Sequence, residues 1–271
     1  MTTGFGIALG LLVILLTALL IALGVSLSRL KKASREREED LMNLLIALSS
    51  LLEMKDRYTE GHCIRMRNMV AAMGEELQLG KKQVENAVVA ATLHDIGKIG
   101  VPDALLNKPG RLTPDEFEFM KQHAIFGSSS LASITRFRDI LNIVRHHHER
   151  FDGAGYPDGL KGDFIPIGSR IIAVIDAYDA MTSDRAYRKS YTSEKAVQVI
   201  REESGKQFDP EMAEVFIKLL QKPAGTVIDP VCGMPAGSGR LVECDGTAYY
   251  FCSEACREEF QKNPSKYQKT A

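Results

Sequence analysis

The stretch His94-Asp95-Ile96-Gly97-Lys98-Ile99-Gly100 (HDIGKIG) sets an imidazole, a carboxylate and an ammonium within five residues, at a turn marked by two glycines. Upstream, Val84, Ala87, Val88 and Ala91 recur as the inner face of a helix, so His94 and Asp95 enter the interior at that helix's C-terminal mouth. An unpartnered polar group there costs several kcal/mol unless it is hydrogen-bonded or holds a metal. The remaining chain is therefore read for partners.

Four more histidines and one aspartate reach apolar faces. His62 lies four residues before Met66 on a helix expected to open at about Thr59. His123 follows Phe119 and Met120 on a helix whose start is signed by Thr113, Pro114 and Glu116, a cap residue, a first-turn proline and the partner of a capping box. His147 and His148 end the triplet begun by His146, and Asp176 closes the apolar run Ile171-Ile172-Ala173-Val174-Ile175. Taken singly, each has a plainer reading: a core histidine bonded to backbone, Asp95 as a helix cap, Asp176 paired with Arg170 or Arg185. Taken together, imidazoles and carboxylates from separate helices are the ligand set of divalent transition metals, and an aspartate can bridge two ions. Five histidines and two aspartates exceed the needs of one ion. A pair about 3.5–4 Å apart suits phosphoester hydrolysis, because it can deprotonate a water and hold the leaving oxygen.

The surrounding texture is helical. Met66, Met69, Val70, Met73 and Leu77 keep a helical period, Asp209-Pro210 opens a last helix, and alternating runs are scarce, so an all-α core is expected. Glycine and proline gather at 153–168, a loop, and at 223–235, a domain boundary. The expected organisation is a transmembrane anchor at 1–28, a juxtamembrane connector helix at 29–56, a hydrolase domain at 57–222 and a cysteine-rich metal-binding domain at 226–271.

The anchor is read from residues 4–27, an uncharged apolar run that as a helix spans about 36 Å against a hydrocarbon core of about 30 Å. Arg29, Lys31, Lys32, Arg35 and Arg37 follow at once and orient what comes after toward the cytoplasm. A cleaved signal peptide is the weaker alternative, since no positive charge precedes the run. Leu41, Leu44, Leu45, Leu48, Leu51 and Leu52 fall near one helical face, fit to pack on the core or to pair two copies as a dimer through residues 29–56. With 34 basic and 35 acidic residues, a net charge of -1 argues against a nucleic acid polymer as partner.

Of five cysteines, Cys232, Cys244, Cys252 and Cys256 crowd near the C-terminus, and Cys63 is expected as a small buried filler. In a reducing compartment such clustering means metal before disulfide. About forty residues build little core, so a bound ion would supply folding free energy. Cys252 and Cys256 stand one helical turn apart and Cys232 on a turn before Gly233, so these three thiols can converge.

Two resemblances rest on these residues. The HDIGKIG stretch, His123, then HHERFDGAGYP at 147–157, DAYDAMTSDR at 176–185 and Phe208-Asp209-Pro210 closely resemble the HD-GYP domain, a bacterial subfamily of the HD metal-dependent phosphohydrolases. That resemblance implies hydrolysis of cyclic di-GMP to linear pGpG and on to GMP, by water activated at a binuclear site of iron or manganese. It implies His62, His94, Asp95 and Asp176 around one ion and Asp95, His123, His147 and His148 around the other, with Asp95 as catalytic bridge. Lys98 would contact phosphate and help position or protonate, Arg185 and Arg188 would add phosphate contacts, and the loop holding Gly153 and Tyr156 would brace the dinucleotide pocket. Asp179 and Asp184 are expected to fix the turn that follows them. Some members carry a glutamate four residues before the first histidine and hold a third ion; Tyr58 stands there, so two ions are expected. Another cyclic dinucleotide, such as cyclic GMP-AMP, or a non-catalytic membrane-tethered nucleotide-binding scaffold are the competing functions. DPVCGMP at 229–235 and TAYYFCSEAC at 247–256 resemble the YHS domain, related to the TRASH metal-sensing modules. This implies zinc or another soft ion on Cys232, Cys252 and Cys256, with Cys244 a candidate fourth ligand, in a structural or a sensing role. The expected location is the bacterial inner membrane, single-pass, with both domains in the cytoplasm.

Overall fold

The computed structural model describes residues 2–55, 62–183, 189–221, 228–232, 234, 236, 240–244 and 247–267; for 2–14, 39, 53 and 54 it describes the backbone. The chain divides into two units, 1–45 and 46–271.

Helix α1 (Thr2–Lys55) carries the first unit and continues into the second. Among the described residues no helix is long and apolar enough to cross a membrane. This overturns the anchor expected at 1–28, and with it the inner-membrane location and the membrane tether. The apolar side chains described, at 15–27, cover about 20 Å of helix, short of the roughly 30 Å required, and charge follows from Arg29. The rest of the apolar run lies outside the described side chains. The leucine face is also narrower than expected: Leu45 and Leu52 are buried, whereas Leu44, Leu48 and Leu51 are exposed. Pairing of two copies through 29–56 finds no support in the structure.

In the second unit, α2 (His62–Glu76), α3 (Lys81–Leu93), α4 (Asp103–Leu106), α5 (Pro114–Leu131), α6 (Leu141–Arg145), α7 (Ile167–Thr182), α8 (Ser193–Glu202) and α9 (Pro210–Leu220) form the helical core. Their starts follow from local sequence. Thr113 and Glu116 make the reciprocal capping box of α5 with Pro114 in its first turn, and the Asp209 carboxylate accepts from Glu211 N and Met212 N ahead of Pro210. Met66, Val70 and Met73 of α2, Ala90 and Leu93 of α3, Ile171, Ile172 and Ile175 of α7 and Phe216 of α9 are buried together as the core. The end of α1 joins this unit through Ser49 Oγ, which donates to Thr92 O at 2.7 Å.

The C-terminal module departs from an all-α description. Strands β1 (Leu241–Cys244) and β2 (Thr247–Tyr250) pair antiparallel, Leu241 opposite Tyr250 and Cys244 opposite Thr247. Helix α10 (Glu254–Lys262), capped by Ser253, packs Phe260 against Tyr249 and Phe251. The module rests on α2 through the buried Arg67, which donates to Glu259 at 3.1 Å, and through an Arg240–Glu75 pair.

Candidate metal centres

His62, His94, His123 and His147 are each aimed by the other ring nitrogen, and His148 by the rings packed around it. Where Nδ1 faces a carbonyl, which can only accept, the proton must reside on Nδ1 and the Nε2 lone pair is left free. His94 Nδ1 donates to Ala91 O at 2.8 Å, His123 Nδ1 to Met120 O at 2.7 Å and His147 Nδ1 to Val144 O at 2.6 Å, each three residues back on its own helical turn. His62 Nδ1 donates instead to Asp179 Oδ2 at 2.8 Å.

The freed Nε2 atoms then converge. His123 and His147 approach to 3.3 Å between Nε2 atoms, and His62 and His94 to 3.5 Å. Two imidazole lone pairs at that distance repel unless a cation lies between them. Asp95 joins the two pairs, its Oδ1 lying 3.5 Å from His123 Nε2 and its Oδ2 3.5 Å from His94 Nε2. The donor atoms of His62, His94 and Asp95 lie within 4.8 Å of one another, as do those of Asp95, His123, His147 and His148, so Asp95 is common to both sets. A cavity of about 20 Å³ borders His62, His94, Asp95 and Lys98, room for a water-sized sphere. The donor set therefore fits divalent metal.

The electrostatics divide the rings: burial lowers His62, but its hydrogen bond to Asp179 and the charge of Asp176 outweigh this and raise it, whereas the rings of the other set are lowered. Burial presses the His147 and His148 imidazoles well below their ordinary range, with neighbouring imidazoles adding to it, and burial lowers His123. These rings are neutral donors at neutral pH. Burial pushes the Asp95 carboxyl up, but the Lys98 ammonium at 2.7 Å and then His94, His123 and His147 outweigh it and hold the group well below the carboxylate range.

Asp176 lies at the edge of this cluster, Oδ1 at 3.6 Å from His62 Nε2, and shares a cavity of about 160 Å³ with His147, His148, Glu149 and Arg150. Arg170, its candidate ion-pair partner, is bonded to Asp163 and Asp209. His146 serves the loop, Nδ1 donating to Asn142 O and Nε2 bonding Asp158. That loop folds through Gly153, with φ of 86°, and lays Tyr156 against His148 at 4.9 Å between ring centroids. Cys63 is buried beside Thr92, as a small filler is expected to be. Tyr58, Asp184, Arg185 and Arg188 lie outside the described residues.

Two contributors escape a reading by sequence alone. Asp179, expected to fix its own turn, instead holds His62 and accepts from Arg65 at 2.6 and 3.0 Å. Burial raises its carboxyl, but the His62 and Arg65 hydrogen bonds outweigh this and bring it to about 2. The available signal is spacing: Asp179 follows Asp176 by three residues and Arg65 follows His62 by three, so each shares a face with a ligand candidate. The second is Asp229, which joins Cys232, Cys252 and Cys256 within 4.8 Å, while Cys244 on β1 stands outside that group. The three sulfurs sit 3.3 to 3.7 Å apart, and the Asp229 carboxylate accepts from Val231 N and Cys252 N, both at 2.8 Å. Three buried sulfurs in such a triangle are the donor set of a soft cation.

Comparison with known proteins agrees with this division. Residues 46–212 match the HD domain family and residues 227–271 the YHS domain family. A cyclic di-GMP phosphodiesterase of Thermotoga maritima is 44% identical over 68% of this chain and 50% of its own length. A cyclic di-GMP phosphodiesterase response regulator of Xanthomonas campestris is 36% identical over 76% of this chain and 53% of its own. The chain thus spans about half the length of these curated relatives. The crystal structure of a cyclic GMP-AMP-specific phosphodiesterase of Vibrio cholerae superposes with a TM-score of 0.55 at 22% identity, over 66% of this chain and 48% of that one, a likeness of fold.

Proposed function

Since the chain belongs to the HD-domain family, we propose that it hydrolyses the phosphodiester bonds of cyclic di-GMP, giving linear pGpG and onward GMP. The observation that carries this reading is the paired approach of Nε2 lone pairs around one shared carboxylate, Asp95. His62, His94, Asp95 and Asp176 would hold one ion, and Asp95, His123, His147 and His148 the other, with iron or manganese suited to nitrogen and oxygen donors. When bound, such ions polarise a phosphoryl oxygen and acidify water.

The protein's own groups do the rest. Asp179 and the backbone carbonyls of Ala91, Met120 and Val144 keep the Nε2 lone pairs pointed inward. Lys98 keeps Asp95 ionised and sets an ammonium where phosphate oxygens and a departing hydroxyl require charge or a proton. Gly153 turns the loop that seats Tyr156 beside His148, and Arg185 and Arg188, outside the described residues, would add positive charge for the second phosphate. A non-catalytic scaffold is disfavoured by the full ligand set. The domain limits proposed are 57–222 for the hydrolase and 226–271 for the module, where Cys232, Cys252 and Cys256 would hold zinc with Asp229 as neighbour.

The test is turnover of cyclic di-GMP by the full chain supplied with iron or manganese, the products identified chromatographically. Release of pGpG that disappears in Asp95→Ala is expected; release that survives the substitution would reject the assigned centre.

A further inference from the structure

Outward from the metal centre runs a file of rings whose outer end, Phe117 with the neighbouring Lys121, the chemistry above does not use. His123 faces His148 at 5.0 Å between centroids, His148 faces Tyr156 at 4.9 Å, and Tyr156 meets Phe117 edge-on at 6.3 Å. Phe117 belongs to α5, the helix that carries His123, yet its side chain is 46% exposed. One helical turn on, Lys121 sets its ammonium 4.9 Å from the Phe117 ring centroid and 5.5 Å from that of Tyr156. One of its three protons is engaged by Glu118 at 2.6 Å, which leaves two to donate.

We infer that Phe117, Tyr156 and Lys121 form a shelf for one purine of the substrate, on which Lys121 selects guanine over adenine. The inference rests on the proposed hydrolysis of a cyclic dinucleotide and deepens it to base preference. A phosphate held among the histidines and Asp95 has its nucleoside beside the next ring outward, and that ring is Tyr156. Aromatic faces stack any base; Phe117 and Tyr156 stand 80° apart, so the base stacks on the exposed Phe117 ring and abuts Tyr156 at its side, which gives affinity without choice. The choice comes from the ammonium: guanine offers it O6 and N7, both acceptors, whereas adenine sets an amino donor beside N7.

Two variants separate these roles; Phe117 is exposed, and Lys121, whose side chain is 23% exposed, keeps a stem of similar length as methionine, so thermal melting should match the parent chain. Phe117→Ala should raise KM about tenfold for cyclic di-GMP, cyclic GMP-AMP and cyclic di-AMP alike, the scale of one lost base stack. Lys121→Met keeps the stem over the rings and removes the charge. It should raise KM for cyclic di-GMP about tenfold, the scale of one lost guanine contact, while KM for cyclic di-AMP stays near the parent value, so that discrimination between them collapses. A Lys121→Met loss equal on guanine and adenine substrates, or unchanged KM values in both variants, would overturn the shelf while leaving the hydrolase reading intact. A parent chain that turns over none of the three would overturn both.

Discussion

The histidine centre and the cysteine module each gather candidate ligands within 4.8 Å, but they reach that geometry by different means. In the core the donors come from α2, the end of α3, α5 and the turn after α6, elements held apart by a large apolar interior. His62, His94, His123 and His147 are each fixed by a hydrogen bond from the nitrogen facing away from the centre. In the module the donors come from one turn, the second residue past β2 and the first turn of α10, around a core of a few aromatics. That difference predicts that the core folds without a cation and offers it preformed ligands, whereas the fold of the module depends on its cation.

The sharpest way to break this contrast is substitution at each centre. Asp95→Asn should abolish turnover while circular dichroism and the main thermal transition of the core persist. Cys252→Ser with Cys256→Ser should do the reverse: the module's hairpin and α10 lose their hydrogen-exchange protection, and turnover falls only as far as α2 is disturbed through Arg67 and Glu259. If both changes unfold the same part of the chain, the contrast fails.

Smaller effects sharpen it. Asp179→Asn keeps the shape but weakens the hold on His62, and should lower metal affinity or activity by about 10- to 100-fold, read by metal titration. The smallest concerns acid. Asp158 is held well below the carboxylate range by Arg145 and then His146, and it ties the loop of Tyr156 to α6. Its folded value is depressed, so its stabilisation is present above the unfolded value of about 3.9 and is lost as pH falls below it. The group is 37% exposed, so the effect is at most about 1 kcal/mol. Melting temperature against pH should show a shallow acid limb below about pH 4 that Asp158→Asn removes.

Much of this was legible in the sequence because it is local. Thr113 with Glu116 and Asp209 with Pro210 announce helices α5 and α9 within four residues, and HDIGKIG after a helical apolar face announces a buried imidazole and carboxylate at a helix end. What escaped acts at a distance. Asp179 reaches His62 across 117 positions, and its three-residue spacing from Asp176 gives the shared face but not the partner. Asp229 reads as the opening of a turn, and only the return of Cys252 23 residues later places it among the sulfurs. The leucines of α1 share a face on paper, but burial depends on what lies opposite, and Leu44, Leu48 and Leu51 are exposed.

The central claim is that two cations share Asp95, and metal stoichiometry tests it most directly. The full chain, equilibrated with manganese and with zinc confined to the cysteine module, should retain two manganese ions per chain by elemental analysis, and Asp95→Asn at most one, bound more weakly. Two manganese ions held equally well by Asp95→Asn, or none held by the parent chain, would contradict the account.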